Sequence, residues 1–379
     1  MIPMIPVLGR EFGATSTQIG LLMSVYSLMQ FIFSPLWGRL SDRIGRRPVL
    51  LTCLVGETVS YLVFASSKDL SLLFLSRVFA GFFGASISTA SAYISDITPK
   101  AERSKGMALI GAAFGLGFVV GPAMGGGLTI LGEFLWANPK NACSFAALCV
   151  AALCLVNFSF AYFKLKESLL SKNQESSERK SRFHSLLEFA RRPTVGSLIG
   201  VYFLTSMAMA VMEATLILYV KDIFGWGLRE VSFGFAYIGI ISVFCQGYLV
   251  RKLLPKIGER KLIQIGLGLM TIGLSGIAVS RHIGLLGLMM TFLGVGNSFT
   301  NPSVLGSVSL LTGPDEQGEV MGTTQSLSAL GRILGPALGG WMYTAMSITS
   351  PFITGGLFAI SGLSVIFQLG TRVPSAAKK

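Results

Sequence analysis

The chain has 379 residues, 51% of them hydrophobic and 13% charged, with a formal net charge of +13 and a mean hydropathy of +0.65. Soluble globular proteins carry roughly 25% charged residues, so half of the charge that a solvated surface needs is missing, and a soluble enzyme is excluded. Disorder is excluded too, because low-charge apolar segments recur along the whole length.

Crossing a bilayer takes about 20 apolar residues. After a short apolar start that ends at Leu8, eleven such segments follow, at 17–37, 48–66, 70–94, 106–131, 143–163, 195–220, 228–250, 262–280, 283–311, 320–346 and 350–370. They predict an all-α polytopic membrane protein. Met1 to Leu8 makes only about 12 Å of helix, too little for about 30 Å of hydrocarbon, and it lacks the basic region and cleavage site of a signal peptide. The expectation is an incomplete first span whose remainder lies upstream. Counting it, twelve spans divide equally about the longest hydrophilic stretch, Lys164 to Pro193. The expected organisation is an N-terminal six-helix bundle over 1–163, a linker over 164–193, a C-terminal six-helix bundle over 194–370 and a tail over 371–379.

Placed on this map, 23 of the 31 lysines and arginines fall on one side, in the loop with Arg43 and Arg46, the stretches Lys100–Lys105 and Arg251–Lys261, the linker and the tail. Six fall on the other side, Arg10, Lys68, Lys140, Lys221, Arg229 and Arg281, and two lie inside spans. Positive charge marks the cytoplasmic side. The basic balance is therefore topology, with linker and tail in the cytoplasm and the protein multi-pass in the cytoplasmic (inner) membrane; no nucleic-acid partner is needed. Five cysteines, Cys53, Cys143, Cys149, Cys154 and Cys245, lie in or beside spans, an odd count that argues against a disulfide framework. His184 and His282 both fall in loops, which leaves no buried metal cluster. No bound cofactor and no enzyme chemistry are expected.

Two internal echoes point to duplication. Gly117-Phe-Val-Val-Gly-Pro-Ala-Met-Gly-Gly126 in the fifth span recurs as Gly331-Arg-Ile-Leu-Gly-Pro-Ala-Leu-Gly-Gly340 in the eleventh. The loop Gly38-Arg-Leu-Ser-Asp-Arg-Ile-Gly-Arg-Arg-Pro48 is echoed by Gly247 through Lys261, with Gly258-Glu-Arg-Lys retained. Two duplicated bundles are the architecture of many transporters, whose site lies near the midplane between the halves.

The Gly38–Pro48 loop resembles the G-x-L-x-D-R-x-G-R-R signature of the major facilitator superfamily. Its two glycines, Gly38 and Gly45, permit a tight turn, and Pro48 suits the first turn of the next helix. The resemblance implies that Asp42 caps the N-terminus of the eleventh helix and that Arg46 meets Asp96 at the inner end of the fourth. Asp42, Arg43, Arg46 and Asp96 are then cytoplasmic gate residues. Arg77-Val-Phe-Ala-Gly-Phe-Phe-Gly-Ala85 is similar to the fourth-span signature, and Gly117, Gly121, Pro122, Gly125 and Gly126 to the fifth-span antiporter signature, echoed by Gly335 and Pro336. Together these resemble the tetracycline-efflux and multidrug group of proton antiporters, over essentially the whole chain. The bland account of the antiporter motif is close packing and a bend.

Four charges lie well inside spans, Glu57, Arg77, Glu213 and Arg332. Each costs about 2.5–3.5 kcal/mol at the bilayer centre. Counting depth from the helix ends predicts two pairs, Glu57–Arg77 and Glu213–Arg332. Two accounts of them stand: ion pairs that only fix helix positions, or proton switches in which protonation frees the arginine and biases a two-state equilibrium. Met209 and Met212 near Glu213 suit a site that accepts several apolar shapes, and Tyr26, Gln30, Tyr237 and Gln325 are further candidates to line the cavity; packing explains each equally well. The expectation is a monomeric exporter of an amphipathic drug or organic ion, driven by protons as coupling ion. Rivals are an exporter of a sugar or other metabolite, and a non-transporting receptor or scaffold that keeps the fold.

Overall fold

The computed structural model describes residues 4–99, 103–136, 139–168, 191–313 and 316–373. Residues 169–190 of the expected linker and 374–379 of the tail lie outside these. Helices occupy all eleven of the predicted apolar segments, and among the described residues there is no strand. In chain order they are α1 (Met4–Glu11), α2 (Ser16–Ile44), α3 (Arg46–Ala65), α4 (Leu70–Phe83), α5 (Ile87–Ile97), α6 (Arg103–Leu135) and α7 (Pro139–Lys164). After the linker come α8 (Pro193–Phe224), α9 (Leu228–Phe244), α10 (Arg251–Val279), α11 (Ile283–Leu310), α12 (Gln317–Ala345) and α13 (Ser350–Leu369). A 3₁₀ turn at Gly84–Ser86 joins α4 to α5, and a π-helical stretch, Cys245–Val250, joins α9 to α10.

Local chemistry sets the helix ends. Thr15 and Gln18 form a reciprocal capping box at the start of α2, and the Asp69 carboxylate accepts from Leu72 N at 2.8 Å to cap α4. Each satisfies amides that the first turn cannot pair internally. Pro193 opens α8 and Gly225, in the left-handed region, closes it. The loop echo read in the sequence is also an echo of backbone shape. Gly45 breaks α2 from α3 at φ 105°, ψ 157°, and Gly258 breaks α10 internally at φ 78°, ψ 166°. Both conformations favour glycine over any residue with a Cβ.

Lipid tails are as apolar as leucine, so helices in a bilayer associate through close van der Waals contact where small residues let backbones approach. α2 lies along α12, α12 along α8, and α13 against both α8 and α10; α3 packs on α4 and α7, while α6 lies along α7 and α9. A Cβ on Gly20 would overlap the Pro336 carbonyl, and one on Gly340 the Ser16 carbonyl. Thr17 donates to Gly340 O at 3.5 Å and to Thr344 Oγ1 at 3.4 Å. Ala14 and Ile19 share a buried cluster with Met212, Leu216, Tyr219 and Phe352. One end of the molecule is thus closed across its two halves. Towards the other end of α2, Leu36, Leu40 and Ile44 are exposed.

Gly20→Ala is expected to destabilise the protein by about 1–3 kcal/mol, the range for overpacking a close contact. Gly268→Ala, where nothing lies within 4 Å of the added methyl group, is expected to be neutral or stabilising by up to about 1 kcal/mol through helix propensity. Thermal unfolding in detergent separates the two, and equal losses would contradict the seam.

Candidate functional site

Two clusters hold the residues singled out by the sequence. The first surrounds the Gly38–Pro48 loop. Gly45 ends α2 and turns Arg46 back under it, leaving Arg46 5% exposed. Its guanidinium meets Asp42 Oδ1 at 2.5 Å and Asp96 Oδ2 at 3.0 Å, and donates to Ser41 Oγ at 2.6 Å. Ser41 in turn donates to Gly38 O. The Arg46–Asp96 contact implied by the family resemblance is present in the geometry. Asp42 lies against Arg46; its expected capping of the eleventh span's helix falls on residues 314–319, which lie wholly or in part outside the described set. From the linker, Arg192 donates to both oxygens of Glu316 at 2.7 and 2.8 Å. Arg43 is exposed.

A residue that sequence reasoning missed completes this cluster. The Glu167 carboxylate accepts from the backbone amides of Arg46 at 2.9 Å and Arg47 at 3.1 Å, capping α3 from 121 residues away. The need was legible, since the first turn of a helix leaves amides without partners and favours negative charge. The supplier was not, because Glu167 sits in a run of linker charges with nothing local to distinguish it.

The second cluster lies within the spans, and here the structure corrects the expected pairing. Among the described residues, Glu57 forms no ion pair with Arg77, nor Glu213 with Arg332. Arg77 is 7% exposed and places its guanidinium 4.5 Å from the centroid of the Tyr26 ring, a cation–π contact, with its Nε buried and unpartnered. The cause is the tight α2–α4 approach, where a Cβ on Gly81 would strike the Tyr26 carbonyl. Glu57 reaches instead to the open side of Gly84, where Gln30 Nε2, Tyr26 Oη and Glu57 Oε1 converge; a methyl group there would meet them at 3.1 to 3.4 Å. Gln30 Nε2 donates to Tyr26 Oη at 2.9 Å and to Gly84 O at 3.0 Å.

In the second half the register of two parallel helices decides. Gly331 faces Phe203 to Met207, Gly335 faces Met207 to Val211, and Gly339 faces Val211 to Thr215. Arg332 is therefore level with Met207, about six residues or about 9 Å below Glu213. Arg332 donates to Ser328 Oγ at 2.8 Å, and Ser328 is hydrogen-bonded to Ser206 Oγ at 2.8 Å. Glu213 is half-buried and, among the described residues, has no hydrogen bond or ion pair; Arg332 acts on it through space. Tyr202, also missed, lies within hydrogen-bonding reach of Gln325. Tyr26 carries the Arg77 guanidinium over its ring and accepts from Gln30 at its hydroxyl.

The remaining candidates divide. Met212 is 2% exposed and packs in the core across the halves, which removes it from the lining of any open space in this conformation. Met209 is half-buried, Gln325 is exposed, and exposed Tyr237 pairs its hydroxyl with Thr291 Oγ1 at 2.7 Å. The two copies of the Gly-Pro motif meet different surroundings. Gly331, Gly335 and Gly339 form the seam with α8, and buried Pro336 lies against α2. Gly117 and Gly121 are exposed, with nothing among the described residues within 4 Å of an added Cβ, whereas Gly125 and Gly126 are buried; the side chain of Pro122 lies outside the described set. The eight-residue α1 packs on α2, α7 and α8.

Comparison with known proteins agrees with this architecture. A family profile described as Major Facilitator Superfamily matches residues 1–335 and, again, 252–379. The class E tetracycline resistance protein of Escherichia coli is 30% identical over 351 residues, covering 91% of this chain and 84% of that protein. Multidrug resistance protein 2 of Bacillus subtilis (strain 168) is 29% identical, covering 96% and 89%. The crystal structure of the human organic anion transporter MFSD10 (TETRAN) superposes with a TM-score of 0.66 at 29% identity, covering 92% and 83%. On the loop signature, the repeated Gly-Pro motif, the helical architecture and these matches, the chain belongs to the major facilitator superfamily.

Proposed function

We propose that this chain is an exporter that exchanges protons for amphipathic organic ions by alternating access. Two bundles, residues 1–163 and 194–370, joined by the 164–193 linker, rock about the midmembrane cluster. The protein works as a monomer in the cytoplasmic membrane, with its Lys/Arg-rich loops and tail inside. The observation that carries this reading is Glu213, a half-buried carboxylate inside a span with no hydrogen-bond or ion-pair partner among the described residues. An unpaired charge near the bilayer centre costs about 2.5–3.5 kcal/mol, and protonation removes it. Occupancy by a proton is then linked to whichever conformation hydrates or pairs the carboxylate. The names of the relatives span tetracycline resistance, multidrug resistance and organic anion transport, solutes that combine an apolar body with charge. Half-buried Met209 on α8 offers an adaptable apolar surface, and Arg77 and Arg332, which have no carboxylate partner among the described residues, favour a solute that carries a negative group.

In proteoliposomes under an imposed pH gradient, an anionic fluorophore is expected to move against its own gradient, with ethidium as the cationic comparison. Glu213→Gln is expected to cut gradient-driven movement at least tenfold while leaving downhill exchange intact. Undiminished gradient-driven movement in that variant would remove Glu213 from coupling, and no movement of either dye would remove the organic-ion reading. At the gate, Arg46→Lys keeps the charge but loses the planar fork that serves Asp42, Asp96 and Ser41 at once. It is expected to slow exchange about tenfold or more with protein levels in the membrane unchanged. Exchange at the unsubstituted rate would reduce the Arg46 cluster to a structural cap.

A further inference from the structure

The closed end of the molecule contains a polar arrangement that the transport reading does not use. Asp222 sits in the last turn of α8, whose C-cap is Gly225. A carboxylate there faces the negative end of the helix dipole, the unfavourable placement, so local helix stability does not account for it. Two other elements hold it. Tyr343, near the end of α12, donates to Asp222 Oδ2 at 2.6 Å, and Arg10, at the end of α1 in the other half, brings its guanidinium to 3.9 Å from the same oxygen. Arg10 also donates to Ser16 Oγ at 3.2 Å, at the first turn of α2. Ser16 is the residue whose carbonyl Gly340 approaches. The arrangement therefore stands on the α2–α12 seam and spans both halves.

Resting on the alternating-access reading, we propose that Arg10, Asp222 and Tyr343 form a latch. It holds the halves together at the end opposite the Gly38–Pro48 loop and parts when that end opens. The chemistry suits a contact that must break in every cycle. The Arg10 and Asp222 side chains are 32% and 40% exposed, so water screens the pair and replaces its partners at little cost. Tyr343 and Asp222 both belong to the second half and stay together, presenting a fixed anionic socket; Arg10 is the part that leaves. The Arg46 cluster differs in kind: its arginine side chain is 6% exposed, and it is built within the first half together with the linker residue Glu167.

The test measures the distance between the halves at this end. Spin labels on cysteines substituted for Ser66 and Ser347, both exposed and one in each half, report it by double electron–electron resonance in the full chain in nanodiscs. Asp222→Asn and Arg10→Gln are each expected to raise the ratio of long to short distances at least fivefold. Tyr343→Phe should act in the same direction to a smaller extent. The exchange Arg10→Asp with Asp222→Arg should return the distribution towards that of the parent, which separates the ion pair from a general loosening. Identical distributions in the parent, Asp222→Asn and Arg10→Gln would overturn the latch even where dye movement is intact. Lengthened distances in the variants, with no dye movement in the parent, would keep the latch and reject the exporter reading.

Discussion

The structure depends on how closely two backbones approach along α2 and α12. In water, burial of apolar surface would draw the halves together, but within hydrocarbon that force is absent and contact distance decides. Gly20 against the Pro336 carbonyl and Gly340 against the Ser16 carbonyl supply that approach. Once these helices touch, α8 is fixed through Gly331, Gly335 and Gly339, and the buried cluster from Ala14 to Phe352 closes over them. The second Gly-Pro motif is thus a packing device on two faces, against its own half and against the other.

That register also places the charges. Had α12 been set about six residues along α8, Arg332 would meet Glu213 and both would be spent on each other. The glycine seam instead holds Arg332 beside Ser328 and Ser206, and leaves Glu213 without a partner among the described residues. In the first half the Gly81 contact does the same, turning Arg77 onto the Tyr26 ring while Glu57 points to Gly84. Packing among small residues therefore keeps these acids and bases from being spent on each other.

Much of the fold was legible because its signals are local and periodic. Each apolar segment became helix, and the loop glycines Gly45 and Gly258 carried a repeat of backbone shape as well as of letters. The contact of Arg46 with Asp96 was legible through family resemblance alone, since no local rule joins residues 50 apart. What failed was depth. Counting residues from assumed helix ends put Arg332 level with Glu213, because composition alone does not fix where a span ends to within the roughly six residues that separate the two. Glu167, Asp222 and Tyr343 were invisible for another reason: each acts through a partner more than a hundred residues away, and none has an unusual neighbour in sequence. Arg10 was counted only as a charge on one side of the membrane, although its place beside Ser16 gives it a contact with the opposite half.

Under the alternating-access reading, the halves rock about the midmembrane cluster, and distance from it sets how far each residue travels. Tyr26 belongs to that cluster; Ser16 lies ten residues from it along α2, about 15 Å, and Ile44 eighteen, about 27 Å. A rotation there therefore swings the loop at Gly38–Pro48 and the seam at Ser16 in opposite senses, while the ring of Tyr26 moves least. The central charges need shift only slightly for the loop to swing widely. A change of one charge at Glu213 is then well placed to bias the rotation, because it acts near the axis, where an unpaired carboxylate is most costly. The exposed pair at Arg10 and Asp222 lies on the other side of the same pivot, so its parting and the closing of the loop end belong to one motion.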